Sequence, residues 1–223
     1  MSMLLRQIGA LIYPWPFACQ CCGGRSGGDG ALCPECADRL RGQRVETGFA
    51  GDGFETSVAA HMYAGPAGAL VRALKYRALS ALADDMGRDM LNAAAVAGMG
   101  VPDVVTFVPM HWRRRRARYF NHAELLAGKV AREWNMKPEK ALKRVRECRQ
   151  QAGISEADAR RENVRNAFAA RRGLKGQRVL LIDDVFTTGA TARECARALR
   201  KAGAAEVWLL VYSLAGHGRD AGA

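Results

Sequence analysis

Hydrophobic and polar positions fall into blocks that read as strands followed by helices. "SVAAHMYAG" (57 to 65) is an apolar run of strand length, while "GALVRALKYRA" (68 to 78) and "SALADDMGRDMLNAAAVAG" (80 to 98) place apolar residues at helical spacing. "DVVTFVPM" (103 to 110) is a β-branched strand ending at Pro109, and residues 121 to 135 return to a helical period, with Asn121 as the cap. Residues 139 to 146 and "NVRNAFAA" (163 to 170) read as strands, separated by residues 147 to 160, which lack a clear period and read as a polar loop. "RVLLID" (178 to 183) is a strand, 190 to 202 a helix ending near Gly203, and "AEVWLLVYSL" (205 to 214) a last strand. Strands alternating with helices predict an α/β fold, a mostly parallel sheet with helices on both faces. Ligands of such sheets sit outside the carboxyl ends of the strands. Three segments start there: the loop after residue 183, the Arg-rich stretch after Met110 and the loop after residue 146.

The front of the chain has a different grain. Residues 3 to 12 read as a short amphipathic helix, residues 13 to 44 as a cysteine module, and 45 to 56, with Gly48, Gly51 and Gly53, as a connection. "MLLRQIGALIYPWPFAC" has the order of an exported lipoprotein signal, but Pro14 and Pro16 break the apolar run after only about ten residues. The expected division is therefore a helix and four-cysteine module over 1–44, the α/β domain over 45–215, and a disordered tail over 216–223. No apolar stretch approaches the ~20 residues that span a bilayer.

Cys19, Cys22, Cys33 and Cys36 form C-x2-C-x10-C-x2-C, the spacing of a tetrahedral Zn2+ site. Each short turn aims two thiolates at one ion. The intervening "GGRSGGDGAL" is too Gly-rich to make a core, so a metal would have to hold the module together. Cys21 lies in the same knuckle and leaves a second register open. Seven cysteines, an odd number, argue against a secreted disulfide framework and for a reducing, cytoplasmic setting.

Charge adds a partner class. The formal net charge is +12, which fits either a polyanionic or phosphate-rich partner or simply an Arg-rich soluble protein. Arg113, Arg114, Arg115, Arg116 and Arg118, followed by Tyr119 and Phe120, put five guanidinium groups beside two rings. Arg forks pair with phosphate oxygens, and rings stack on unpaired bases; the alternative is a solvated basic loop with Phe120 in the core.

"VLLIDDVFTTGAT" (179 to 191) carries the sharpest chemistry. Asp183 and Asp184 offer acceptors for vicinal hydroxyls or a hydrated metal where the chain leaves the sheet. Thr187, Thr188, Gly189, Ala190 and Thr191 then offer hydroxyls, a tight turn and the amides of a helix start, which favour a phosphate. A ribose 5-phosphate group satisfies both halves. The motifs G-x4-G-K-[ST] and G-x-G-x-x-G are absent. Of the histidines, only His111 lies near this site in sequence reasoning; His61, His122 and His217 show no metal spacing.

That 13-residue stretch resembles the phosphoribosyl pyrophosphate (PRPP) motif of type I phosphoribosyltransferases. The four-cysteine module, "LKYR" (74 to 77), "VPMHWRRRRARYFNHAELLA" (108 to 127) and "RECRQQAGISEADARRENVRNAF" (146 to 168) are similar, in that order, to the competence protein ComF family. The resemblance covers nearly the whole chain. It implies a zinc ribbon followed by a phosphoribosyltransferase-like domain linked to DNA uptake in natural transformation.

By motif, it implies that Asp183 and Asp184 bind the ribose hydroxyls and serve as the catalytic pair, and that Thr187 to Thr191 hold the 5-phosphate. Lys75 would bind an anion. The segment after Pro109, with the arginines and Asn121, would be the pyrophosphate loop, shared with nucleic acid. Gln151, Arg160 and Asn163 would belong to a flexible loop that closes over the site. Tyr119 stands where the family usually has a small residue.

Three functions follow from the resemblance. The protein binds PRPP and single-stranded DNA and acts in DNA uptake, with uptake helicase or recombination proteins as partners. Alternatively it is an active phosphoribosyltransferase, moving ribose 5-phosphate from Mg2+-bound PRPP to a nitrogenous base. The third is a regulator that senses PRPP.

Overall fold

The structure is a computed structural model, and it describes residues 18–26, 31–45, 48–49, 53–76, 82–110, 120–146 and 164–215. The helix expected at 3–12, the polar loop at 147–160, the tail at 216–223, and the residues His111, Arg113 to Arg116, Arg118, Tyr119, Gln151, Arg160 and Asn163 lie outside the described residues.

The elements run α1 (Pro34–Arg41), β1 (Thr56–Met62), α2 (Gly65–Tyr76), α3 (Leu82–Val96), β2 (Val104–Phe107), α4 (His122–Glu133), β3 (Leu142–Arg144), β4 (Phe168–Ala170), β5 (Arg178–Phe186), α5 (Ala190–Lys201) and β6 (Glu206–Leu214). Four strands form one sheet in the order β1-β6-β5-β2, with every pairing parallel. Its centre explains why. Val179 to Ile182 and Val207 to Tyr212 are unbroken apolar runs, and all but Trp208 are fully enclosed; strands covered on both faces read this way.

Two cores sandwich the sheet. On one face Leu74, Leu82, Met86, Met90 and Leu126, from α2, α3 and α4, pack on Leu180, Ile182 and Tyr212. On the other, Cys195 and Leu199 of α5, with Leu142, Phe168 and Leu174, pack on Leu181 and Leu209. Each fully buried Leu contributes about 1.5–3 kcal/mol over its exposed state.

Three expectations shift. The strands expected at 139–146 and 163–170 shrink to three residues each and pair antiparallel with one another, outside the main sheet. Leu142 and Phe168 are buried while Lys143 is exposed. One dry and one wet face suits an antiparallel pair and not a strand enclosed by two helix layers. The first strand begins at Thr56 and ends at Met62, and the fifth continues past residue 183 to Phe186. Asp183 and Asp184 therefore lie within β5, paired in register with β6 up to Phe186–Leu214.

Neither sheet edge is bare. Gln43, Val45 and Phe49 bond to β1, and Glu139 donates its N–H to Val105 of β2. The chain leaving the cysteine module is thus stitched to the sheet. Ala31 joins the larger core, with Leu32 and Leu40 against it, so α1 rests on α2. Among the described residues no helix is long and apolar enough to cross a membrane.

Candidate functional site

The parallel strands β2 and β5 point their carboxyl ends the same way, and the loop after β5 turns directly into α5. Gly189 makes the turn, with φ +72°, a left-handed conformation that favours glycine. It also leaves no space. A Cβ there would sit 2.3 Å from Phe186 Cζ and 2.7 Å from Arg193 Nη1. Phe186 is braced from behind by Phe49, with ring centroids 4.8 Å apart. Arg193, one turn into α5, donates from Nη2 to the Thr188 carbonyl. Thr188 Oγ1 accepts from Ala190 N at 3.5 Å. Gly189, the N-cap residue, offers no side-chain cap, and the first turn of α5 carries no acidic residue, which suits an anion at the positive end of its dipole.

The strand pleat separates the two acids, because successive side chains face opposite sides. Leu180 and Ile182 enter the α2–α4 core; Val179 and Leu181 enter the α5 core. Asp184 continues the first series. Its side chain is 6% exposed, and Oδ2 lies 2.9 Å from Lys75 Nζ at the end of α2 and 3.2 Å from His122 Nε2 at the start of α4. Asp183 continues the second series, and its charge helps raise the Cys195 thiol behind burial, the main cause. Asp183 Oδ1 accepts from Asp184 N at 2.9 Å. Burial first, and the Asp184 charge second, push the Asp183 carboxyl up to about 8. The two neighbouring acids thus have different surroundings: Asp184 is held by Lys75 and His122, while Asp183 lies on the opposite side of the strand.

Lys75, expected to bind an anion, lies on the Asp184 carboxylate. Asn121 was expected both as cap and as ligand residue. Asn121 is buried, donates from Nδ2 to the Val108 carbonyl and accepts from Ala123 N, so its side chain ties the end of β2 to α4. His122 and Arg193 were missed. Their sequence signals were slight: His122 follows the cap residue, and Arg193 stands four residues after Gly189. His61, another residue without metal spacing, is buried against Asp89 at 3.1 Å.

Separately, Cys19, Cys22, Cys33 and Cys36 bring their Sγ atoms within 4.8 Å of one another. Cys22 and Cys33 Sγ are 3.8 Å apart, the edge of a tetrahedron with Zn–S bonds of about 2.3 Å. Cys21 is outside this cluster, and Cys22 is inside it. Two knuckles build it. Cys19 N and Gly23 N bond to Gly24 and Cys19 carbonyls, while Cys33 caps α1 with Pro34 at its first position and Cys36 inside it. Burial raises the Cys19 thiol, but backbone hydrogen bonds from Cys22, Cys33 and Cys21 outweigh it and bring it down to about 6. In the same cluster Cys22 and Cys36 are shifted the other way, upward, Cys36 chiefly by burial. None of the described cysteines forms a disulfide.

Residues 121–221 match the family model for the phosphoribosyl transferase domain. The DNA utilization protein YhgH of Escherichia coli O157:H7 is 31% identical over 209 residues, covering 88% of this chain and 90% of that one. Competence protein F of Haemophilus influenzae is 37% identical over 112 residues, 48% of each chain. Among solved structures, the glutamine PRPP amidotransferase of B. subtilis aligns with 57% of this chain and 25% of its own, at 29% identity and a TM-score of 0.40.

Proposed function

The chain belongs to the ComF family of competence proteins and carries a phosphoribosyltransferase domain with a four-cysteine cluster in front of it, and on that premise we propose that it binds PRPP at the β5–α5 loop and works on single-stranded DNA in DNA uptake or utilization. The observation that carries the reading is the junction of Asp183 with the Gly189 turn and the uncapped start of α5. Hydroxyl recognition and phosphate recognition are built within seven residues of each other there.

In this reading the chain's own groups divide the work. Backbone amides from Thr187 to Thr191 and the Thr hydroxyls receive the 5-phosphate. Arg193, anchored to the Thr188 carbonyl, adds positive charge beside the turn. Asp183 meets the ribose hydroxyls with its carboxyl oxygens. Asp184 is held in place by Lys75 and His122. Mg2+ bound with PRPP supplies charge neutralisation on the leaving pyrophosphate. The four cysteines fit Zn2+ with a structural role.

Equilibrium dialysis with labelled PRPP and Mg2+ tests the reading. Saturable binding, competed by ribose 5-phosphate, is expected, because the loop recognises the sugar phosphate. Binding that ribose 5-phosphate does not compete at all would show that the loop is not the site. Pyrophosphate release on addition of purine or pyrimidine bases then separates a transferase from a PRPP-binding protein.

A further inference from the structure

Much of the positive charge lies away from the β5–α5 loop, on the two-stranded sheet β3–β4. A cavity of about 630 Å³ opens between β4 and the second half of α5, and Arg171, Arg172, Arg197 and Lys201 line it. A second cavity, about 190 Å³, opens between the end of β2 and β3, lined by Pro109, Met110, Lys140, Lys143, Arg144 and Arg171. Arg171 belongs to both. The two cavities therefore lie on either side of it, one near the carboxyl end of β2 and the other beside the C-terminal half of α5, and the cations that line them trace a path past the β3–β4 pair.

The path is prearranged for anions. Arg172 is fixed by Glu139, 2.7 Å away, and by Gln177 at 2.9 Å; Arg197 is fixed by Glu194 and Asn166. Lys140 pairs with Glu124 at 2.9 Å. Arg171 anchors Nε on the Leu142 carbonyl. Lys143 and Lys201 make no ion pair among the described residues. Seven cations against three carboxylates leave the path strongly positive. Phe168 forms its apolar floor beside α5, with the Arg144 guanidinium 5.4 Å from the ring centroid.

We infer that this path is a binding track for the sugar–phosphate backbone of a single nucleic-acid strand, with Arg171 at its waist. The inference rests on the single-stranded DNA part of the proposed function and gives that partner a place. A flexible strand follows such a line of cations with its bases free to turn outward. An acidic peptide is the rival occupant. The bonds of Arg171 N to the Ala141 carbonyl and of Val145 N to the Ala167 carbonyl, which flank the β3–β4 pair, leave the backbone of Phe168 and Ala170 on the edge away from β3, where a strand could add.

The test measures fluorescence anisotropy of a labelled oligo-dT against NaCl concentration, using the full chain. The triple variant Lys143→Ala/Arg171→Ala/Lys201→Ala removes three exposed side chains. If each meets one phosphate, the slope of log K against log salt flattens by about 2, and affinity at 0.1 M salt falls about 100-fold. A control triple on the α3–α4 side, Arg88→Ala/Arg132→Ala/Lys137→Ala, keeps the wild-type slope. Circular dichroism confirms that both variants fold, and PRPP affinity is expected to stay unchanged in both. Wild-type binding that the track variant leaves intact would overturn the track but not the DNA reading; a wild-type chain that binds no oligo-dT would overturn both. Tighter binding of polyglutamate or of duplex DNA than of oligo-dT would overturn the assigned partner.

Discussion

Replacing Lys75 with Met tests the link between the PRPP motif and the fold around it. Asp184 sits almost wholly inside the protein, and its Oδ2 is shared by Lys75 at 2.9 Å and His122 at 3.2 Å. Removing one partner of a buried ion pair costs about 3–5 kcal/mol, because the other charge stays behind without compensation. Two features lower the figure here. The Lys75 side chain is 22% exposed, so water already reaches it, and His122 remains in place. An expected loss of about 2–3 kcal/mol follows. For a chain of 223 residues that is a fall in melting temperature of about 5–10 °C. Thermal denaturation followed by circular dichroism reads it directly. A double-mutant cycle with Asp184→Asn adds the decisive control. With the acid neutralised, Lys75→Met should cost far less, giving a coupling above about 1 kcal/mol. A midpoint within about 1 °C of wild type, or single effects that simply add, would show that Lys75 does not compensate the Asp184 charge.

Three further outcomes are expected. Asp183 has a folded-state value of about 8, against roughly 4 in the unfolded chain, so the folded state binds the extra proton between them. Its stabilising contribution is complete below about pH 4 and is lost as pH rises through about 8; urea midpoints should show this decline in wild type and a flatter profile in Asp183→Asn. Gly189→Ala forces a Cβ into Phe186 at a left-handed φ, which costs about 1–3 kcal/mol from the backbone alone. It should weaken PRPP binding more than tenfold, by dialysis, with the DNA salt slope unchanged. Metal analysis should find about one Zn2+ per chain, removed by chelation or by Cys22→Ser but not by Cys21→Ser; a folded metal-free wild type would rule the zinc site out.

The parts of the fold that were legible were those whose signal is local. The runs "RVLLID" and "AEVWLLVYSL" are apolar enough that only a doubly covered strand can hold them. The spacing of Cys19, Cys22, Cys33 and Cys36 is set by the turn geometry around one ion, and the structure brings those four sulfurs together. The hairpin of β3 and β4 was not legible. Three-residue strands carry too few positions to show which face is wet, and their partners lie more than twenty residues apart. The different surroundings of Asp183 and Asp184 were hidden for a similar reason. The motif shows two adjacent acids, but only the pleat of β5 and the placement of α2 and α4 bring Lys75 and His122 to one of them. His122 had no sequence signal beyond standing next to a helix cap.

The central claim is that a sugar phosphate is recognised where Asp183 meets the Gly189 turn and the start of α5. Calorimetric titration of the full chain with PRPP and Mg2+, repeated on Asp183→Asn and Gly189→Ala, tests it most directly. One-to-one binding tighter than about 1 mM, weakened at least tenfold in both folded variants, is the expected result. No binding at millimolar PRPP, or equal binding in all three proteins, would contradict it.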